Sequence, residues 1–171
     1  AMEKGSKFGR GQAEEAWQNA EVDALYRLAA AGVRVPEPYG CFDGVLLMEL
    51  VTLPDGEVAP RLNDVTLDAE QARKDHATLM ESVKRMLCVG LVHGDLSEFN
   101  VLVDEHGPVI IDLPQAVDAA ANNNAFFMLN RDVNNITQYY GQFAPELLET
   151  RFSPEMWSLY KEGKLGMDTV L

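Results

Sequence analysis

Cysteine is scarce: Cys41 and Cys88 are the only two in 171 residues, and neither stands in a CxxC or Cys/His spacing that would bind zinc or run a redox couple. They read as ordinary thiols of a reducing compartment. No run of about 18 apolar residues occurs, so no membrane-spanning helix is expected, and the opening AMEKGSKFGRGQ lacks the apolar core of a secretory signal. The expected location is cytoplasmic, with no membrane partner. Ala1 ahead of Met2 reads as a residue left by tag removal, which makes Met2 either the authentic start or a chosen boundary of the expressed piece. Basic residues are also few, 14 against 27 acidic ones, and the net charge of -13 opposes non-specific binding to nucleic acid. A small basic group at Lys4, Lys7 and Arg10 falls in a Gly-rich opening that reads as a mobile end over 1–13. Internal repeats, low-complexity tracts and an interdomain linker are all missing, so one compact domain is expected.

Periodicity supplies the elements. From Glu14 to Ala31, Trp17, Ala20, Ala24, Leu25 and Leu28 recur at helical spacing, and Gly32 with Pro36 and Pro38 ends the pattern. YGCF and VLLMELV flank Asp43-Gly44, a dipeptide suited to a tight hairpin turn. After the loop LPDGEVAP, Asp68 caps a long helix with Ala72, His76, Leu79, Met80, Val83, Met86 and Leu87 on its apolar face, closed by Gly90. HGDLSEFN is too polar for a strand. A second hairpin is expected from Val101–Val103 and the run ending at Asp112, around the turn Asp104-Glu105-His106-Gly107. Beyond the Asn-rich AANNNA, Phe126, Leu129, Val133, Ile136, Tyr140 and Phe143 mark another helix, and Ser153-Pro154 reads as the cap and first residue of the last one.

The chemistry lies in the polar loop. His93-Gly94-Asp95-Leu96-Ser97-Glu98-Phe99-Asn100 puts Asn five residues after Asp, and Asp112 follows twelve residues later. Phosphoryl transfer from ATP needs a carboxylate to orient the acceptor and oxygen ligands to hold magnesium against the triphosphate, and this order matches H-x-D-L-x-x-x-N followed by a metal-binding Asp. Asp95 is then the candidate acceptor-orienting carboxylate, Asn100 and Asp112 the candidate metal ligands, His93 the brace of the loop, with Ser97 supporting it. Singly, an Asp or Asn in a polar loop is usually a turn residue. A turn explanation does not require all three in this order across a hairpin. Glu21, mid-helix among apolar neighbours, suits the carboxylate that pairs with an ATP-binding lysine, though a solvated helix-face Glu is the plain alternative. Met48-Glu49-Leu50-Val51 ends a strand where adenine would take backbone hydrogen bonds from Glu49 and Val51.

LVHGDLSEFNVLV followed by IIDLPQAV resembles the RIO kinases, an atypical protein-kinase group, more closely than ordinary protein kinases, which carry His-Arg-Asp and Asp-Phe-Gly. The similarity runs from the Glu21 helix through VPEP and MELV to RDVNNI. It implies an α+β, protein-kinase-like fold, mainly the helical C-lobe with the αC-type helix and hinge hairpin of a truncated N-lobe. It also implies an ATP-dependent serine/threonine kinase with Asp95 as catalytic Asp and Asn100 and Asp112 as ligands of Mg2+ or Mn2+. The partners it implies are a nucleotide and a protein substrate or the chain itself. Serine autophosphorylation, a phospho-aspartate at the position of Asp112 and a link to small ribosomal subunit maturation come with the family.

The glycine-rich turn and V-A-x-K strand of a complete kinase do not precede the Glu21 helix, and neither Lys4 nor Lys7 lies in a strand pattern. The expectation is a fragment with 1–13 as a mobile segment, 14–51 as an N-lobe remnant and 52–171 as the C-lobe, with little activity alone. Two rivals stand beside it. Aminoglycoside- and choline-type kinases share H-G-D-x-x-x-x-N but differ at Ser97-Glu98-Phe99 and Leu113-Pro114-Gln115. A non-catalytic pseudokinase or assembly module would fit missing N-lobe elements.

Overall fold

Helix α1 ends where glycine lets it end. In the computed structural model, which describes residues 20–113 and 116–171, α1 runs over 20–30, and Gly32 at φ 81° lets the Val33 N–H close back on the Leu28 carbonyl at 3.0 Å. The 1–13 segment and the Trp17 turn of the expected helix lie outside the described residues. Two arginines fasten α1 to the end of the long helix: Arg85 donates to the Ala31 carbonyl at 3.0 Å, and Arg27 donates to the Val89 carbonyl.

Strands β1 (Pro38–Phe42) and β2 (Val45–Met48) pair antiparallel, with Phe42 opposite Val45. The turn between them is the expected Asp43-Gly44, at φ 50° and 78°, the positive pair a two-residue hairpin needs. Helix α2 (Ala69–Cys88) begins as the sequence indicates, with the Asp68 carboxylate accepting from the Gln71 N–H at 2.7 Å. All seven residues of its expected apolar face are buried.

Four short elements escaped periodicity. Strand β3 (Leu91–Val92) pairs antiparallel with β6 (Val117–Asp118), two residues each, and 3-10 turns occupy Leu62–Asp64 and Pro145–Glu149. The second hairpin, β4 (Val101–Asp104) with β5 (Gly107–Ile110), forms as expected but stops two residues before Asp112. Asp112 therefore does not end a strand. It stands beyond it at φ 60°, in the left-handed region that L-residues rarely adopt.

Helix α3 (Ala125–Gly141) buries Leu129, Val133, Ile136 and Tyr140 as read, but leaves Phe126 exposed against Trp157, ring centroids 5.6 Å apart. Helix α4 (Phe152–Lys161) corrects the Ser153-Pro154 start: it begins two residues earlier without a side-chain cap, and the Ser153 hydroxyl is buried and donates to Asn130 Oδ1 at 2.6 Å. Leu25 and Leu28 of α1 share one apolar core with Leu79 and Leu87 of α2 and Leu129 and Ile136 of α3. Each such side chain contributes about 2 kcal/mol by burial. Among the described residues no helix is long and apolar enough to cross a membrane.

Candidate active site

The candidate loop follows β3 and is gripped from below by α3. Asp132, 1% exposed, accepts the Gly94 N–H on one carboxylate oxygen (2.8 Å) and the Leu96 N–H on the other (3.0 Å). Arg131 donates to the Gly94 carbonyl and Asn135 Nδ2 to the Leu96 carbonyl at 3.2 Å. One turn of helix thus holds the main chain on both sides of Asp95. Burial pushes the Asp132 carboxyl upward, and the two N–H donors oppose that shift. Sequence reasoning missed Asp132 as part of the site. The available signal was an acid on the buried face of α3, between Leu129 and Val133.

His93 uses both ring nitrogens. Nδ1 accepts the Asp95 N–H at 3.1 Å, which makes Nε2 the protonated nitrogen, and it donates to the Ile111 carbonyl at 2.8 Å. Ser97 closes the loop: its hydroxyl accepts the Phe99 N–H at 3.2 Å and its carbonyl the Asn100 N–H at 3.0 Å. The turn returns Asn100 to Asp95, where Asn100 Nδ2 donates to the Asp95 carbonyl and lies 3.5 Å from Asp95 Oδ2. With Nδ2 engaged, Oδ1 is the acceptor Asn100 has left to offer. The Ile111 N–H donates to the Asn100 carbonyl at 2.9 Å, so Asp112 is bound into the same neighbourhood. Asp95 and Asp112 are both exposed, while Asn100 and His93 are buried.

Glu21, Met48, Glu49, Val51 and Asp112 line one cavity of about 260 Å³, together with Leu25, Pro36, Leu50, Val58, Leu102, Ile110, Ile111 and Leu113. Asp95, His93, Ser97 and Asn100 are not in its wall; Ile111 joins the two groups. Pro36, Val58 and Leu102 are apolar walls that sequence reasoning did not single out. Burial, and then the charge of Asp112, pushes the Glu21 carboxyl upward, so the two carboxylates sense one another across the cavity. Among the described residues neither has an ion-pair partner.

The Glu49 N–H is taken by the Glu37 carbonyl at 2.8 Å, and the Val51 carbonyl accepts from the Ala59 N–H at 3.0 Å. Glu49 therefore cannot donate to an adenine; among the described residues its carbonyl and the Val51 N–H are the groups without a partner. A metal fits the donor set as an oxygen ligand pair rather than a cage. No group of three or more His, Cys, Asp or Glu able to hold an ion occurs among the described residues, whereas the Asn100 amide oxygen and the Asp112 carboxylate are the hard donors that magnesium accepts alongside phosphate and water.

A braced H-x-D loop, an Asn folded back onto its Asp and a second Asp beneath a hinge-walled cavity are the layout of a protein-kinase-like chain. The sequence matches the RIO domain over residues 1–152. The chain belongs to the RIO family. It is 39% identical over 131 residues to the RIO-type serine/threonine-protein kinase Rio1 of Haloferax volcanii, covering 77% of this chain and 44% of that protein. It is 39% identical over 113 residues to the RIO-type serine/threonine-protein kinase Rio2 of Methanocaldococcus jannaschii, covering 65% and 40%. Against the serine/threonine-protein kinase RIO1 of Homo sapiens it is 32% identical over 136 residues, covering 79% and 24%. The chain spans less than half the length of each of these three relatives.

Proposed function

We propose that this chain carries the base-and-metal half of an ATP-dependent phosphotransferase site, of the RIO-type serine/threonine protein kinase kind. One observation carries the reading: Ile111 receives His93 on its carbonyl and gives its N–H to Asn100, so Asp112 is tied to the Asp95–Asn100 pair at the edge of a cavity that the hinge encloses.

In this reading the apolar walls of Pro36, Val51, Val58 and Leu102 take the adenine, the Glu49 carbonyl accepts its amino group and the Val51 N–H donates to its ring. Asn100 Oδ1 and the Asp112 carboxylate hold a divalent cation, Mg2+ or Mn2+. Bound with ATP, that cation neutralises charge on the phosphates and fixes the transferred group. Asp95, exposed at the loop tip, accepts a hydrogen bond from the acceptor hydroxyl and aims it. His93 and Asp132 hold Asp95 through its flanking backbone rather than reacting. The acceptor is a serine or threonine of a protein, or of the chain itself; a ribosome-maturation role is an extension from the family alone. Glu21 is placed for a lysine partner, and the 171-residue chain is expected to bind ATP weakly and turn over little by itself.

Nucleotide affinity and autophosphorylation, measured on this chain beside a longer version, test the reading. Metal-dependent ATP binding, with label passing to protein in the longer version, supports it. Label passing to an aminoglycoside or an amino alcohol, or no metal-dependent nucleotide binding by either, overturns it.

A further inference from the structure

One residue of the segment after α1 grips strand β5 at both of its ends. Val33 and Val35 join the core, and Arg34 between them reaches the second hairpin. Its carbonyl accepts the Ile110 N–H at 3.0 Å, and its guanidinium forks onto the Asp104 carboxylate, Nη1 donating to Oδ1 at 2.5 Å and Nη2 to Oδ2. Asp104 pairs with Gly107, where β5 begins, and Ile110 is where β5 ends. Asp104 also accepts the His106 N–H at 2.8 Å, so the turn fixes the carboxylate from its own side.

The fork differs from the exposed ion pairs of this chain, such as Arg73 with Glu146. The Asp104 side chain is 6% exposed and that of Arg34 33%. A forked guanidinium–carboxylate pair fixes direction as well as distance, and partial burial protects it from screening by salt. The bond to Arg34 holds the Asp104 carboxyl below the usual carboxylate range, although burial pushes the other way. The same bond, and after it the charge of Glu49 in the hinge, favours the charged form of Arg34.

We propose that Arg34 and Asp104 are positioning residues for the cavity, their fork holding β5, and through it Ile111 and Asp112, at a fixed separation from the opposite wall. The connectivity of the chain carries this: Pro36, in that opposite wall, stands two residues beyond Arg34, and Ile111 and Asp112 directly follow Ile110. Neither Arg34 nor Asp104 lines the cavity, so both act through the residues they hold. The consequence for nucleotide binding rests on the kinase reading, whereas the hold on Asp112 does not.

Hydrogen exchange on the 171-residue chain tests the hold. Arg34→Ala and Asp104→Ala should each speed exchange at the Ile110 and Ile111 amides about tenfold, the size of one charge-assisted bond, with the double variant no faster than the worse single one. Arg34→Lys keeps the charge without the fork and should recover only part of the protection. Arg73→Ala, which breaks the exposed pair, should leave these amides as they were. In the longer version, Mg2+-dependent ATP affinity should fall about tenfold with each alanine variant, as the lost bond implies, and recover in part with Arg34→Lys. Unchanged exchange at Ile110 and Ile111, equal acceleration throughout α2 and α3, additive single effects, or faster local exchange with ATP affinity intact each overturns the proposal. Absence of metal-dependent binding by the unaltered longer version sinks the kinase reading and this role with it, and the exchange result shows whether the hold itself was real.

Discussion

His93 Nε2 lies 2.8 Å from the Ile111 carbonyl while its Nδ1 accepts the Asp95 N–H, so one neutral imidazole spans the two segments that carry Asp95 and Asp112. His93→Ala removes both bonds and lets the segments drift. A displacement of about 1 Å at a reacting group lowers a rate on the order of 100-fold. Single-turnover phosphotransfer in an active longer version should fall by that order, with ATP affinity changed far less. An equal loss in both would mean that His93 supports the fold as a whole.

Asp95→Asn and Asp112→Asn should separate the two roles. Each is expected to lower turnover by about three orders of magnitude or more, because each removes a charge the transition state uses. Only Asp112→Asn should weaken metal-dependent nucleotide binding, a difference that titration calorimetry with and without Mg2+ would read.

Asp132→Asn turns one carboxylate oxygen into an NH2 group facing a backbone N–H. A buried donor left facing a donor costs about 1–3 kcal/mol. Denaturant unfolding should show that loss, and faster hydrogen exchange should be concentrated at the Gly94 and Leu96 amides, the two that Asp132 holds.

His76 gives a stability prediction with a definite sign. It is buried between α2 and α3, bonded to Thr137 Oγ1 at 2.9 Å, and burial pushes its pKa down to about 4. Between its ordinary value near 6.5 and that lowered one, the unfolded chain binds a proton that the folded chain refuses. Stability should be full above about pH 6.5 and decline towards pH 4, by up to about 3 kcal/mol. Urea unfolding across this range, beside His76→Gln, checks it: the variant's curve should be flatter there.

Features set by neighbouring residues were legible in the sequence. Asp68 caps a helix three residues on, Asp43-Gly44 makes its own turn, and the H-x-D-x-x-x-x-N spacing folds Asn100 onto Asp95 because the intervening Ser97 turn is local. What depended on distant partners was not. Ser153 reads as a cap until Asn130, 23 residues away, claims its hydroxyl. Glu49 reads as a hinge residue, but that its carbonyl rather than its N–H stays open is decided by Glu37, twelve residues away. The run before Asp112 reads as a continuous strand, yet its pairing stops at Ile110, opposite Val101, and the chain turns into the left-handed region. Asp132 lies 36 residues or more from the amides it holds, and nothing near it in the sequence points to them.

Asp132, Arg131 and Asn135 all hold main-chain atoms of Gly94 and Leu96, and none of them reads a side chain of the loop. The anchorage is therefore indifferent to what residues 97–99 display. Residues 97–99 can therefore change without touching the main-chain bonds that hold the loop on either side of Asp95.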